Sequence, residues 1–123
     1  YTGKGRRMDL VQMVIRCQSK YREVLVGDTA GTACVVQKLV GQILVSLYEQ
    51  VRIDDVAVQF PRSLSTLDGD YCVIHIQARC LSKRWQHYDE QAMEVLIEVH
   101  IAPPLIELFG SVTVEVSCIS DAP

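Results

Sequence analysis

The stretch that decides the fold is residues 28–50, DTAGTACVVQKLVGQILVSLYEQ. Asp28 or Thr29 can cap a helix, and after Gly31 the apolar residues recur with the i, i+3, i+4, i+7 spacing of one helical face. Those apolar positions are Ala33, Val36, Leu39, Val40, Ile43, Leu44 and Leu47. The high valine content and Gly41, which costs about 1 kcal/mol relative to alanine inside a helix, argue against a helix. The spacing nevertheless predicts one amphipathic helix over residues 31–49.

Period-two alternation predicts strands on both sides of this helix. Before it, residues 10–17 alternate, and residues 22–27 form a second short strand that could close a hairpin with the first. After it, strands are predicted at residues 51–60, 71–81, 93–101 and 112–118, with Pro103-Pro104 ending the third of these. Strands joined without crossover helices imply an antiparallel sheet. The sequence therefore predicts an α+β fold, an antiparallel β-sheet of about five to six strands with one main amphipathic helix (31–49) packed on it.

The composition fits one folded domain in a reducing compartment. The chain has 123 residues, of which 49% are hydrophobic and 22% charged, a globular balance. No apolar run reaches the roughly 18 residues of a spanning helix, and the first residues lack the apolar stretch of a secretory signal. None of the five cysteines lies in a Cys-x-x-Cys pair, and the sequence contains no asparagine. We therefore expect an intracellular protein that is not secreted.

The net charge of −3 is unevenly distributed. Residues 1–22 carry six basic residues and one acidic residue, +5 in all, which leaves −8 for the rest. We predict a basic N-terminal arm at residues 1–9 and a single globular domain at residues 10–123. Lys4, Arg6 and Arg7 are the candidate membrane- or phosphate-binding residues. An ordinary charged tail would have the same composition.

Candidate catalytic and metal-binding residues lack partners in the sequence. His75, His87 and His100 lack the third and fourth ligands that a zinc site needs at close spacing. Cys80 lies near basic residues, but no base is marked beside it. We therefore expect no enzyme activity, no cofactor and no metal.

A basic and aromatic cluster at Lys83, Arg84, Trp85 and Tyr88 is the candidate interface or stacking site. Such a cluster can stack on bases, lie at a bilayer interface or anchor a protein contact. A tryptophan that closes one end of the core would produce the same pattern.

Three segments and a closing run carry a family resemblance. They are the strand 11–17, the amphipathic segment 32–48 with Leu47-Tyr48-Glu49 at its end, the strand from Tyr71, and Pro103-Pro104…Leu108-Phe109-Gly110-Ser-Val-Thr-Val-Glu-Val-Ser-Cys-Ile-Ser-Asp121. In their order, these elements resemble the globular core of rhabdovirus matrix proteins over residues 8–121. In that family a basic arm precedes the core, and Lys4-Gly5-Arg6-Arg7 would match the end of the arm. The late-domain motif Pro-Pro-x-Tyr of many members is not present.

The resemblance implies a viral structural protein that self-associates, contacts anionic membrane and nucleocapsid, and supports virion assembly and budding. Its location would be the virion interior and host cytoplasm, at the inner face of the membrane.

Two other functions remain open at this point. In an OB-type barrel that binds single-stranded nucleic acid, residues 22–27 and 32–37 would be strands, and Tyr21, Phe60, Tyr71 or Trp85 would stack on bases. The overall acidity argues against this alternative, and a helix at 31–49 would exclude its strand assignment. The other alternative is a non-enzymatic structural adaptor whose function lies only in its interfaces.

Overall fold

The structure, a computed structural model, describes residues 7–18, 29–60, 72–84 and 86–121. Six elements follow one another along these residues. They are β1 (Met8–Cys17), α1 (Thr29–Leu47), β2 (Gln50–Gln59), β3 (Cys72–Leu81), α2 (Glu90–Phe109) and β4 (Val112–Asp121).

The four strands form one antiparallel sheet in the order β2-β3-β1-β4. β1 therefore lies between the two strands that come later in the chain, with Cys17 opposite Cys72 on one side and opposite Val112 on the other. A β-bulge interrupts the β2–β3 register between Ile53 and Asp55. This βαββαβ order and sheet arrangement are those of a ferredoxin-like fold.

The core lies between the sheet and the two helices. Alternate residues of β1, from Val11 to Cys17, and of β3, from Cys72 to Cys80, face the helices and are buried. α1 contributes Val36, Val40 and Leu44 to the same cluster. The α+β class and the antiparallel sheet are thus confirmed, with four strands and two helices among the described residues.

The predicted helix at 31–49 is confirmed as α1, which begins two residues earlier and ends at Leu47. Its four buried residues, Thr32, Val36, Val40 and Leu44, are spaced by four and form one stripe against the sheet. By length and composition α1 could also cross a membrane, with a mean hydropathy of 1.4. A core helix passes the same test, and the buried stripe of α1 fits that role.

The predicted strand at 93–101 is wrong, because these residues belong to α2. The buried residues Met93, Ile97, Ile101, Leu105 and Phe109 recur at every fourth position, which is the period of a helix face. Val95 and Val99, which alternation placed on the same face, are exposed. Asp89 caps the helix, since its carboxylate accepts a hydrogen bond of 2.8 Å from the Ala92 N–H.

Pro103 and Pro104 lie inside α2 and do not end it. Each proline removes a backbone donor and costs about 3 kcal/mol or more in a helix interior. Burial of Leu105 and Phe109 beyond them contributes about 1.5–3 kcal/mol for each side chain and offsets much of that cost. The helix ends only at Gly110, whose φ of 90° and N–H bond to the Ile106 carbonyl form the C-cap.

Three further predictions concern segments that the structure describes only in part. The strand at 22–27 lies outside them, and both sides of β1 are occupied by β3 and β4. The OB-type barrel needs a strand at 32–37, where the chain is helical, so that strand assignment is wrong. β1 begins at Met8, inside the arm predicted for residues 1–9, and residues 1–6 lie outside the described part.

Candidate interaction surface

A buried ion pair joins the start of β1 to the end of α1. The Asp9 side chain is fully buried and accepts hydrogen bonds from Arg7 at both oxygens, Nε to Oδ1 at 2.6 Å and Nη2 to Oδ2 at 3.2 Å. The Tyr48 hydroxyl donates to Oδ2 at 2.8 Å. Arg7 also approaches Glu90 in the first turn of α2, with Nη1 and Oε1 3.9 Å apart. The carboxylate thus has a donor at each oxygen, as burial of a charge requires.

Two thiols border this ion pair and stay protonated at neutral pH. Burial raises the pKa of the Cys80 thiol to about 12 and that of Cys118 to about 11. Burial, followed by the hydrogen bond to Asp9, also raises the pKa of Tyr48 above its usual value. None of these groups is an ionised nucleophile at neutral pH. The role that the contacts of this cluster support is therefore structural, since they join β1 to the ends of α1 and α2.

The structure separates the candidate residues of the N-terminal arm and the aromatic cluster. Lys4, Arg6 and Trp85 lie outside the described residues. Arg7 is paired with Asp9, and a hydrogen bond to that carboxylate raises the pKa of its guanidinium. Lys83 donates from Nζ to the Ser46 carbonyl at 2.8 Å. Arg84 and Tyr88 are exposed.

The candidate histidines lie on different elements of the fold. His75 projects from β3, whereas His100 lies on α2, where its Nδ1 is 2.8 Å from the Leu96 carbonyl oxygen. Within residues 7–18, 29–60, 72–84 and 86–121, no three His, Cys, Asp or Glu side chains lie close enough to hold a metal ion.

An apolar stripe on α2 faces away from the core. It consists of Val95, Val99, Ala102 and Ile106, and we call it the outer stripe. The side chains of Val95, Val99 and Ile106 are 61%, 60% and 48% exposed. They recur at i, i+4 and i+11, so they line one side of the helix. The buried side of α2 is apolar as well, so α2 carries two apolar faces, and its exposed polar residues include Glu98, His100 and Glu107.

The outer stripe lies beside an edge of the sheet. Glu94, which precedes Val95, accepts a hydrogen bond of 2.8 Å from the Cys118 N–H of β4. This donor points away from β1, because β4 pairs with β1 on its other side. Val95 is rotated by about 100° from Glu94 around the helix, toward solvent.

The two edge strands of the sheet, β2 and β4, differ in how well they are protected against pairing with a strand of another molecule. β2 carries Arg52, Asp54, Asp55 and a bulge, features that discourage pairing with another strand. The Asp54 carboxylate lies 2.7 Å from Arg79 and 3.3 Å from Arg52, and the hydrogen bond from Arg79 lowers its pKa. β4 has no bulge in its pairing with β1, and between Val112 and Ser117 its only charged residue is Glu115.

Sequence reasoning missed the outer stripe because it placed Val95 and Val99 in a half-buried strand. The signal that could have revealed it is the recurrence of apolar residues at every fourth position from Met93 to Phe109, which extends across the two prolines. A strand of that length would be unusual, whereas a helix of 20 residues is not.

No protein-family model matches the sequence, and no curated protein matches it. The chain has low-identity likenesses among solved structures. One is a hydantoinase/carbamoylase family amidase from Burkholderia ambifaria, with 11% identity, a TM-score of 0.46 and coverage of 96% of this chain and 29% of that one. An amidase of the same family from Burkholderia multivorans has 12% identity, a TM-score of 0.49 and coverage of 93% and 27%. A dinuclear metal binding peptidase of the M20 family from Bacillus subtilis has 17% identity, a TM-score of 0.39 and coverage of 96% and 27%.

The chain spans less than a third of the length of these proteins. At such identities and TM-scores, the likeness carries neither their activity nor their metal site over to this chain. The expectation that the chain is not an enzyme stays a prediction, because the similar chains belong to hydrolases.

The resemblance to rhabdovirus matrix proteins is wrong. Solved structures that the chain is similar to include bacterial amidases, a putative amidohydrolase/peptidase and a peptidase, and none of these is a viral matrix protein. The resemblance depended on the order of elements, and its closing run starts at Pro103-Pro104, which lie inside α2, the helix that replaces the predicted strand at 93–101. With the strand replaced by a helix, the described residues form a βαββαβ unit in place of one helix followed by four strands.

Proposed function

We propose that this domain is a non-catalytic self-association module that joins two copies through the outer stripe of α2 and the adjacent edge of β4. The observation that carries the proposal is the exposure of Val95, Val99 and Ile106 on a helix whose other side already fills the core. A row of exposed apolar side chains beside a sheet edge is stabilised in water when a partner covers it.

The partner is a second copy, because one two-fold rotation brings both features together. An antiparallel pair of β4 strands related by an axis perpendicular to the sheet would extend the sheet to eight strands, from four in each copy. The same rotation keeps both helix layers on one side of that sheet. The two α2 helices then lie next to each other, so that each outer stripe covers the other.

Glu94 limits the register of this pairing. It occupies the outward N–H of Cys118, so pairing is restricted to residues before it. Backbone groups of alternate residues point to the same side of a strand, so the outward groups available are those of Val112, Val114 and Val116. A two-fold axis near Val114 pairs Val112 of one copy with Val116 of the other. The outward backbone groups of all three residues then form hydrogen bonds between the copies.

The association does not require the ionisable groups around Asp9 to react. Cys80 and Cys118 are protonated at neutral pH, and the Asp9 carboxylate is enclosed by its donors. Membrane or phosphate contact through Lys4 and Arg6 stays a prediction. Arg7 adds less to such contact, since its guanidinium is engaged by Asp9.

The test introduces a charge into the outer stripe. Val99→Glu should shift the protein from twice 13.8 kDa to the monomer mass in sedimentation or light-scattering measurements, because two stripes would then bury opposed carboxylates. Val99 is 60% exposed, so the substitution leaves the core intact, and circular dichroism should be unchanged.

Val45→Glu is the matched control. Val45 is also 60% exposed, but it lies on α1, away from the β4 edge. This variant should associate like the parent protein. If the parent stays monomeric at the highest attainable concentration, or if both variants dissociate equally, the α2–β4 surface is not the interface.

A further inference from the structure

Two buried cysteines face each other on the two central strands of the sheet, at one end of their pairing. Cys17 is the last residue of β1 and Cys72 is the first residue of β3, and the two are direct partners in the antiparallel register. Both side chains point into the core, with exposures of 1% and 2%. Their positions at the end of the β1–β3 ladder mean that fraying of the strand ends, with no disruption of the central pairs, would expose both.

The backbone hydrogen bonds fix how far apart the two residues are. Gln18 donates its N–H to the Ser111 carbonyl on the β4 side, whereas the Arg7 carbonyl accepts from Ser82 on the β3 side. Successive residues of a strand point their backbone groups to opposite sides, so Cys17 and Cys72 form a hydrogen-bonded pair. Such pairs have Cα atoms about 5.5 Å apart. Disulfides span Cα separations of about 4.4–6.8 Å, so the Cα separation of this pair fits a disulfide, and bond formation also requires the two Cβ atoms to approach from about 5.5 Å to about 4.5 Å.

The two thiols already contact each other. The Cys17 thiol donates a hydrogen bond to the Cys72 sulfur, and this bond lowers the pKa of Cys72 despite the opposing effect of burial. Cys80 and Cys118 show the opposite behaviour, because burial raises their pKa values to about 12 and 11. Among these three core cysteines, Cys72 is the one whose thiolate is favoured.

We propose that Cys17 and Cys72 are a reversible oxidation site, at which a peroxide converts the dithiol into a cross-strand disulfide. The Cys72 thiolate attacks one peroxide oxygen, the O–O bond breaks, and Cys72 becomes a sulfenic acid while hydroxide leaves. The Cys17 sulfur then attacks the Cys72 sulfur, the S–S bond forms and the S–O bond breaks. The Cys17 proton goes to the departing hydroxide, which leaves as water. Overall the two thiols lose two electrons, and hydrogen peroxide is reduced to two molecules of water.

The consequence of oxidation is a covalent link between two central strands. It closes a loop that contains α1 and β2, and such links stabilise a fold by restricting the unfolded chain. The oxidised protein should therefore have a higher Tm than the reduced protein. Treatment with dithiothreitol should restore the lower value.

The experiment treats the whole chain with hydrogen peroxide, blocks the remaining thiols under denaturing conditions and maps the peptides by mass spectrometry. We expect one linked peptide pair that joins Cys17 to Cys72, with the mass lowered by two hydrogens. Because the thiolate reacts, formation of this pair should accelerate with pH, and the acceleration should begin at a lower pH than for an ordinary thiol, since the hydrogen bond from Cys17 lowers the pKa of Cys72.

Cys34→Ser is the matched control, since Cys34 is exposed and lies on α1. This variant should form the same linked pair as the parent, whereas Cys72→Ser should form none. The peptide map of the parent protein decides the question even if Cys72→Ser does not fold. Recovery of Cys17 and Cys72 as blocked thiols after exposure that oxidises Cys34 would overturn the proposal.

Discussion

At the scale of the residue, one charge is buried within the described part of the chain, that of Asp9, and two partners donate hydrogen bonds to it. Arg7 supplies a charged fork and Tyr48 a hydroxyl, so the carboxylate contacts the start of β1 and the end of α1 together. Removal of one partner of a buried polar group costs more than the hydrogen bond contributed, because the remaining group is left without its donor.

Tyr48→Phe should lower the free energy of unfolding by about 1–3 kcal/mol. Tyr48 is 1% exposed, and phenylalanine keeps the ring while removing the hydroxyl that lies 2.8 Å from Asp9 Oδ2. Urea denaturation monitored by circular dichroism measures the change. Tyr88→Phe is the control, since Tyr88 is 52% exposed and should be neutral. Equal stability of both variants and the parent would show that the Tyr48 hydroxyl does not stabilise Asp9.

Sequence reasoning missed this site, because it assigned Asp9 to the basic arm at residues 1–9. Asp9 lies in the same alternation phase as Val11, Met13 and Ile15, which places it on the core side of β1. The alternation in the sequence places Asp9 in the core, but it does not identify the hydrogen-bond partners of Asp9. Tyr48 is 39 residues away and reaches Asp9 only because α1 ends over the start of β1. Arg7 was assigned to the arm because charge alone does not reveal a partner two residues away.

At the scale of the element, α2 shows why a period of two can conceal a helix. Residues spaced by four satisfy both periods, so Met93, Ile97 and Ile101 fit a strand as well as a helix. The residues between them distinguish the two structures. In a strand Val95 and Val99 would lie on the buried side, whereas in α2 they are exposed. In α1 the apolar residues also recur at odd spacings, which a strand face does not allow, so the prediction was correct.

Ile97→Ala and Val99→Ala should therefore differ sharply. Ile97 is fully buried, so its truncation should cost about 2–5 kcal/mol. Val99 is exposed, and alanine is the better helix former, so Val99→Ala should be neutral or slightly stabilising. Denaturant midpoints measured at low protein concentration compare the two. Similar losses for both substitutions would favour a strand.

Gly41 offers a stabilising substitution inside α1. A methyl group added there meets only the Ile53 side chain, with Cδ1 at 3.6 Å, an ordinary contact. Gly41→Ala should therefore raise the free energy of unfolding by about 0.5–1 kcal/mol, because alanine loses less conformational entropy in a helix. Gly110→Ala is the contrasting variant. Its φ of 90° strains any other residue, so a cost of about 1–2 kcal/mol is expected. A destabilised Gly41→Ala protein would mean that α1 and β2 pack more tightly than this distance indicates.

At the scale of the whole molecule, self-association links stability to concentration. A partner that binds only the folded chain stabilises it by mass action. The Tm of the parent protein should therefore rise as concentration rises, on the order of a few degrees for a domain of this size. Calorimetry at several concentrations measures this dependence, and Val99→Glu should show none. A Tm of the parent that does not change with concentration would contradict association through the folded state.

The fold class followed from local pattern, but the topology did not. Alternation in residues 10–17, 51–60, 71–81 and 112–118 marked four strands that the sheet contains. The alternation patterns do not indicate which strands are neighbours, because the pairing depends on how α1 and α2 cover one face of the sheet. The outer stripe and the position of β4 at an edge of the four-stranded sheet follow from that arrangement, so neither could be predicted while residues 93–101 were assigned to a strand.

The central position of β1 has a consequence for how the chain folds. Met8 pairs with Leu81 on one side and Asp121 on the other, so the first described strand obtains its second partner only from the last one. Contacts of such long sequence separation slow folding, since a large loop must close before they form. During synthesis, β1 must wait with its outer edge unpaired until residues 112–121 have left the ribosome. Truncation of β4 would therefore remove more than an edge, because it would leave the central strand of the sheet open to pairing with other chains.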